Sequence, residues 1–321
     1  MNYNNCSFEI CKHKQVWDDF VCKSPQNNIF CQTIFLDVLQ EDYDLLTIIN
    51  DGGILVGAVV LRDKNDVIID PYMYHGVLVS SHFDNIPIHK KVNQLLELTK
   101  ILINECVKRY IRVHFSMHIS FNDIRSFQWH NYHLNKKDQF KVDVSYTGIL
   151  DIGRINNFNE ILKITRSIRR QEHKKCLLGG FTVEESDNVS ILNELHQKTF
   201  ERQGLKRSKN EKFMATILAK ESIEKGFGRL MICRDSKGVP AAASLFVFDR
   251  DTGYYLIGAN DPGFRKYGTG SFLVLEQIRK CFEHGIKAID FIGINSPNRG
   301  DFKTSFNAQP FSFFTVYTNL N

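Results

Sequence analysis

A chain of 321 residues, 43% hydrophobic and 24% charged, is long enough for two domains of ordinary size and too apolar to be a disordered polymer. Its 41 Lys and Arg against 36 Asp and Glu leave a net charge of +5, which suits an anionic small molecule and does not call for DNA or RNA. It has no run of about eighteen apolar residues, so membrane insertion is not expected, and its eight scattered cysteines form neither Cys-x-x-Cys nor a zinc-spaced Cys/His cluster, so free thiols and no metal are expected. The stretch Met1–Cys6 lacks the basic and apolar regions of a leader, which predicts a cytoplasmic protein.

In chain order, Gln15–Val21 predicts a short helix with Trp17, Phe20 and Val21 inward. Leu45–Asn50 and Ile54–Arg62 predict two strands around an Asp51-Gly52-Gly53 hairpin turn. Tyr72–Val79 is extended and rich in aromatics. Ile88–Arg109 carries Val92, Leu95, Leu96, Thr99, Leu102, Ile103 and Cys106 on one side and predicts a long amphipathic helix, after which Ile111–Met117 alternates as a strand. Phe121–His133 mixes aromatic, acidic and basic residues without period. It reads either as a loop pinned by Phe127 and Trp129 or as a pocket wall in which Trp129 stacks on a base or sugar and Arg125 pairs with phosphate. Tyr146–Ile152 closes this half as a strand.

In the second half, helices are expected at Asn156–Lys163, Arg166–Cys176, Val189–Arg202 and Lys212–Lys225. The second of these holds Arg166, Arg169, Arg170, His173, Lys174 and Lys175, either a solvated face or a basic wall near an anionic ligand. Strands are expected at Phe181–Glu185, Gly228–Arg234, Val239–Phe248, Gly253–Asn260, Ile286–Asn295 and Phe311–Tyr317, with a short turn or helix at Phe302–Phe306. Between the strand ending at Asn260 and the amphipathic run Phe272–His284 lies Arg265-Lys266-Tyr267-Gly268-Thr269-Gly270. Strand, glycine turn, helix is an arrangement that cradles phosphate, because glycine lets the backbone approach closely and the helix start presents N–H groups. The spacing is Arg-x-x-Gly-x-Gly, which is neither G-x-G-x-x-G nor a P-loop.

Weak similarity links the two halves in the same order. Lys108–Phe115 followed by Asp123–Arg125 echoes Glu283–Asp290 followed by Asn298–Gly300, and Ala58–Leu61 echoes Ala242–Leu245. The first copy has Pro87-Ile88-His89-Lys90-Lys91 in place of the glycine loop, so the cofactor site is expected in the second half and the acceptor pocket in the first.

The Arg-x-x-Gly-x-Gly loop resembles the pyrophosphate-binding loop of the GNAT acyltransferases, which grips coenzyme A. The second half as a whole resembles a Fem-type GNAT domain through the basic helix Ser167–Lys175, Gly180-Phe181-Thr182-Val183, Thr199–Gly204, the hairpin Gly238–Ala243, Tyr254–Ala259, the glycine loop, Ile289–Gly293 and Phe302-Lys303-x-x-Phe306. The resemblance covers roughly residues 160–317 and implies an α/β (α+β) fold of two tandem GNAT-like domains, each a mixed, mostly antiparallel sheet flanked by helices. Domains are expected at 1–152 (acceptor side) and 153–321 (coenzyme A side). Fem-type enzymes move either amino acids from aminoacyl-tRNA onto cell-wall precursors or acyl groups from coenzyme A onto nucleotide-linked sugars. The intact loop and the lack of a long helical insert favour acyl-CoA as co-substrate. The segment Asp123-x-Arg125-x-Phe127-x-Trp129 resembles sugar N-acyltransferases of lipopolysaccharide and O-antigen synthesis, implying a dTDP-3-amino-3,6-dideoxyhexose acceptor and an acetyl or 3-hydroxybutanoyl donor. The alternatives are an aminoacyl-tRNA-dependent peptidyltransferase and a non-catalytic GNAT-like binding protein; a homodimer is one option for assembly.

Amide formation from a thioester needs a neutral, aimed amine and donors for the carbonyl oxygen. The resemblance implies main-chain donors from the strand holding Leu245, Phe246 and Val247, with Arg265, Lys266, Tyr267, Gly268, Thr269 and Gly270 gripping the cofactor. Asp290 is the candidate for orienting or deprotonating the amine, and Lys303, which matches a lysine of the Fem pattern, for stabilising negative charge. Tyr72, His75, Arg125, Trp129 and Asn295 are the acceptor candidates.

Overall fold

The computed structural model describes residues 5–39, 41–63, 70, 72–134 and 139–318. The first four residues of the stretch read as lacking a leader lie outside them. Contacts divide the chain into two compact units, Met1–Ser145 with Ser312–Asn321, and Tyr146–Phe311.

The first unit opens with β1 (Ser7–Ile10), α1 (Lys14–Lys23) and α2 (Thr33–Leu36), followed by β2 (Asp42–Asn50), β3 (Gly53–Arg62) and β4 (Val77–Val79). These strands form an antiparallel sheet in the order β1-β2-β3-β4. The helix α3 (Ile88–Arg109) has the predicted bounds, and its buried stripe is Leu98, Thr99, Leu102, Ile103 and Cys106, the three- and four-residue spacing that places side chains on one face. It packs with Leu46, Ile48, Val56, Val60, Phe83, Phe115 and Phe127 into one core.

Two expectations change here. The extended stretch 72–79 is a strand only over Val77–Val79, because Tyr74 takes a left-handed φ of 65° and turns the chain. The stretch 111–117 shortens to β5 (His114–Ser116), and the aperiodic segment after it contains a one-turn helix, α4 (Arg125–Gln128), that drives Phe127 fully into the core.

β6 (Lys141–Asp151) leads into the second unit, which continues through α5 (Phe158–Ile164), α6 (Ser167–Leu178), β7 (Thr182–Ser186) and α7 (Val189–Arg202). The segment predicted as one helix is α8 (Lys209–Phe213) continuing through a π-helical turn, Met214–Leu218, into α9 (Ala219–Glu224). Then come β8 (Gly228–Arg234), β9 (Pro240–Phe248), β10 (Thr252–Asn260), α10 (Thr269–Glu283), β11 (Ala288–Asp290) and α11 (Pro297–Thr304). The strand order is β6-β11-β10-β9-β8-β7, antiparallel throughout except for the β10–β11 pair. The last strand, β12 (Gln309–Tyr317), returns to the first unit, where its residues 315–317 pair antiparallel with β5. Among the described residues no helix is long and apolar enough to cross a membrane, and no group of three or more His, Cys, Asp or Glu could hold a metal ion.

Candidate active site

The glycine loop is built where the sequence places it. Asp261 caps a short 3-10 turn, Pro262–Tyr267, by accepting from the Gly263 N–H at 2.8 Å. Gly268 then adopts φ 81°, a left-handed conformation that other residues reach only with strain, and α10 begins at Thr269. A Cβ on Gly268 would lie 2.4 Å from Glu172 Cγ, and one on Gly270 would lie 2.7 Å from Asn260 Nδ2. Helix α6 seats the loop from behind: Lys175 Nζ donates to the Lys266 carbonyl at 2.9 Å, and Cys176 Sγ approaches the Tyr267 carbonyl at 3.3 Å. Tyr267 is half-buried against Phe181, whereas Arg265 and Lys266 are exposed. In the first turn of α10 the Ser271 and Phe272 N–H groups donate to the Gly268 carbonyl at 3.0 and 3.1 Å, whereas those of Thr269 and Gly270 have no acceptor within the helix. Together with the close glycine backbone and two exposed cations, they suit a pyrophosphate.

Beside this loop the sheet opens. β11 pairs with β10 only from Thr252 to Tyr254, whereas β10 runs on to Asn260. The predicted strand 286–295 ends at Asp290 because Ile292 and Gly293 both take left-handed φ, 44° and 70°. The register of β10 against β9 shifts between Tyr255 and Ile257, leaving Leu256 as an extra residue. Leu245, Phe246 and Val247 are fully buried in β9, which is paired with β8 on one side and β10 on the other, so their main-chain groups belong to ladders. The irregular main chain that could serve a ligand is on β10, one strand over from the expected position.

Asp290 and Lys303 converge on this opening. Asp290 is 2% exposed; its Oδ1 accepts from the Thr147 hydroxyl and, at 2.8 Å, from the Ile292 N–H. That geometry makes it the anchor of the 290–293 turn and leaves it poorly placed to take a proton from an amine. Lys303 Nζ donates to the Ile292 and Gly293 carbonyls at 2.6 and 2.9 Å and lies 5.7 Å from the centre of the Tyr255 ring. Burial lowers its pKa to about 8, Asp290 opposing and Arg299 reinforcing the shift.

Three further residues are linked to Lys303 directly by contact or charge, or through the charge of Arg299. Burial raises the pKa of the Tyr255 phenol, which therefore stays protonated. His196 on α7 lies 3.5 Å from Arg207 Nη1 through its Nδ1. Burial lowers the His196 pKa to about 4, with the Arg207 charge acting in the same direction. Arg299 is exposed on α11 and its charge reaches Tyr255, Lys303 and His196. Of these three only Tyr255 has a signal in the sequence, since its position in a strand leading to the loop puts it on the face opposite Tyr254.

The acceptor candidates divide into separate groupings. His75 is fully buried with its ring N–H donating to the Phe30 carbonyl at 2.7 Å, and burial lowers its pKa to about 4; it is a core residue. Tyr72 packs edge-on to Phe35 at 5.7 Å and against His75 at 5.8 Å. Arg125 is bound at both ends by Asp123, at 2.7 and 2.6 Å, and lies 5.3 Å from the Trp129 ring. Trp129 is 45% exposed and lines a shallow depression with Asn131, Tyr132, His133 and Leu134. Asn295 uses both ends of its amide on the Tyr146 main chain, at 2.8 and 3.3 Å, beyond the end of β11.

Comparison with known proteins bears on the fold. Residues 163–304 match the acetyltransferase (GNAT) domain family. Among curated protein sequences none matches the chain significantly. Among solved structures, FemX aligns with a TM-score of 0.68 and 15% identity over 96% of each chain. The C-terminal domain of a putative lysylphosphatidylglycerol synthetase from Agrobacterium fabrum aligns with a TM-score of 0.59 and 8% identity, over 95% of this chain and 91% of that one. A tandem GNAT protein from the clavulanic acid pathway aligns with a TM-score of 0.55 and 7% identity, over 98% and 99%. The chain thus has the mixed α/β architecture of tandem GNAT proteins, and its residues 163–304 carry the match to the acetyltransferase (GNAT) domain family.

Proposed function

We propose that the protein transfers an acyl group from acyl-CoA to the amine of a nucleotide-linked amino sugar, of the dTDP-3-amino-3,6-dideoxyhexose class. The observation that carries the acyl-CoA part is the glycine loop: Gly268 at φ 81° opening α10, with Gly270 packed on Asn260, leaves backbone N–H groups where a bulkier sequence would fill the space. Arg265 and Lys266 supply the counter-charge. Acyl-CoA, when bound, supplies an activated thioester carbon.

This chain's own residues would do the rest. The opening between β10 and β11 admits the acyl end, and the β10 main chain near Leu256 donates to its carbonyl oxygen. Lys303 holds two of its three protons on carbonyls, so one N–H remains to stabilise charge on that oxygen or on the departing sulfur. The Asp290 carboxylate favours the charged form of Lys303 and fixes the turn that holds it. With a thioester as the donor, alignment of the two reactants supplies a large share of the rate, and a dedicated base is not required. On the acceptor side, exposed Trp129 and Arg125 are the residues available to stack on a base and meet a phosphate, Arg125 after releasing Asp123.

The test is thiol release read with a thiol-reactive dye, using acetyl-CoA or 3-hydroxybutanoyl-CoA and the dTDP-amino sugar. Sugar-dependent thiol release is expected. Release with simpler amines alone would overturn the acceptor, and no release together with no thermal shift by coenzyme A would overturn the donor in favour of a charged tRNA.

A further inference from the structure

Helix α6 carries the basic run that reads from sequence as a solvated face or an anion wall, yet its cations are largely engaged within the protein. Arg166 pairs with Asp301 at 2.7 Å, Arg170 donates to the carbonyl of Thr165 at 2.6 Å, and His173 meets Glu276 at 2.8 Å. Arg169 is the most connected and is only 16% exposed. Its Nε donates to Ser305 Oγ at 2.9 Å, just after α11. Its Nη1 donates to Ser271 Oγ at 3.0 Å, in the first turn of α10, and to Glu172 Oε2 at 2.6 Å. Its guanidinium carbon lies 5.1 Å from the ring centre of Phe302, the residue before Lys303. Both serines are 2% exposed, so these bonds form away from competing water.

One planar group therefore touches both functional elements. On one side is the helix start that follows Gly268 and contains Gly270; on the other is the segment that delivers Lys303. Ser305 Oγ passes the link on by donating to the Phe302 carbonyl at 2.5 Å. Phe302 packs edge-on to Phe306 at 5.1 Å, and Phe306 stacks on Phe291, next to Asp290, at 5.7 Å. Glu172, three residues along the same helix face, balances the charge and lies against Gly268. A lysine would not serve, since its single nitrogen cannot donate in two fixed directions from one plane.

We propose that Arg169 is a positioning residue that locks the glycine loop to the Lys303 helix and so fixes the placement of the Lys303 ammonium. The link to turnover rests on the acyltransferase function proposed above; the link to Lys303 itself does not. Arg169→Met and Arg169→Lys are compared with wild type by turnover and by competitive acylation of Lys303 across pH, read by mass spectrometry. With the fold retained by circular dichroism, kcat falls about 10- to 100-fold with a smaller change in donor KM. The midpoint for Lys303 labelling moves, and lysine at 169 restores neither. In a Lys303→Met background the Arg169→Met change costs less than about threefold more, because the two act as one unit. Additive losses, an unmoved labelling midpoint or full rescue by lysine would overturn the proposal. Should Arg169→Met fail to fold, Ser305→Ala removes one partner of the guanidinium and is put through the same measurements, where a moved midpoint supports the lock and an unmoved one overturns it. Labelling needs no substrate, so a moved midpoint in a protein that releases no thiol from acyl-CoA overturns the acyl-CoA donor and upholds the role of Arg169.

Discussion

Lys303 offers a prediction whose size follows from its surroundings. The group is largely buried, and its pKa falls from the ordinary 10.5 to about 8. At about 1.4 kcal/mol per pH unit, this corresponds to about 3 kcal/mol of folding free energy. The sign follows from proton counting. Between pH 8 and 10.5 the unfolded chain holds a proton on this lysine and the folded chain does not, so stability rises with pH across that window. Below pH 8 both states are protonated and the full cost of burying the charge is present. Urea unfolding of wild type and Lys303→Met at about pH 7.5, 9 and 10 isolates the effect, since other titrating groups are common to both. The stability difference should move in favour of wild type by about 2–3 kcal/mol from the lowest to the highest of these. Activity should run the other way and fall as pH rises through about 8, if the ammonium is the working form. A stability difference that stays constant within about 0.5 kcal/mol over this range would refute the idea that burial of Lys303 is electrostatically costly.

Gly268→Ala should destabilise the second unit by about 2–5 kcal/mol, combining left-handed strain with overpacking against Glu172, and should abolish the thermal shift by coenzyme A; a loss below about 0.5 kcal/mol in denaturant unfolding would contradict this. Gln277 is fully buried with both amide atoms lacking a hydrogen-bond partner, so Gln277→Leu should raise stability by about 1–3 kcal/mol in chemical unfolding, and a decrease would show that the amide is satisfied. Buried His75 stays neutral down to about pH 4, so between pH 6.5 and 4 the unfolded state binds the extra proton and stability falls as pH is lowered. Acid titration of His75→Leu should show a shallower decline over that range, and a slope equal to wild type would mean that His75 contributes nothing to acid unfolding.

Periodicity makes the long elements legible. The α3 bounds and the α7 bounds follow from one apolar face repeating every three or four residues, and no other arrangement buries Leu98 with Leu102 or Leu192 with Leu195. The glycine loop is legible for a different reason: a left-handed residue opening a helix calls for glycine. What stays hidden depends on the third dimension. Nothing local tells that Ile292 turns left-handed, so the strand 286–295 reads too long and the capture of Lys303 by two carbonyls is out of reach. An aromatic-rich stretch such as 72–79 fits a pocket or a core equally well, and only packing decides that His75 is core. Arg125 carries a clue, since a carboxylate two residues before an arginine readily neutralises it. His196 and Arg299 lie on helices far apart in sequence, so the effect of the Arg299 charge on His196 arises only after folding.

The return of residues 312–317 to the first unit bears on how the protein is made. A ribosome delivers β1 to β5 early, yet β5 acquires its partner at Thr315–Tyr317 only after the whole of the second unit has been synthesised. The N-terminal unit is therefore begun first and finished last. A nascent chain carries an unpaired strand edge through most of its translation, the kind of edge that invites aggregation. A fragment cut at Ser145 would keep that edge permanently, so a deletion near residue 312 is a lesion of the N-terminal unit.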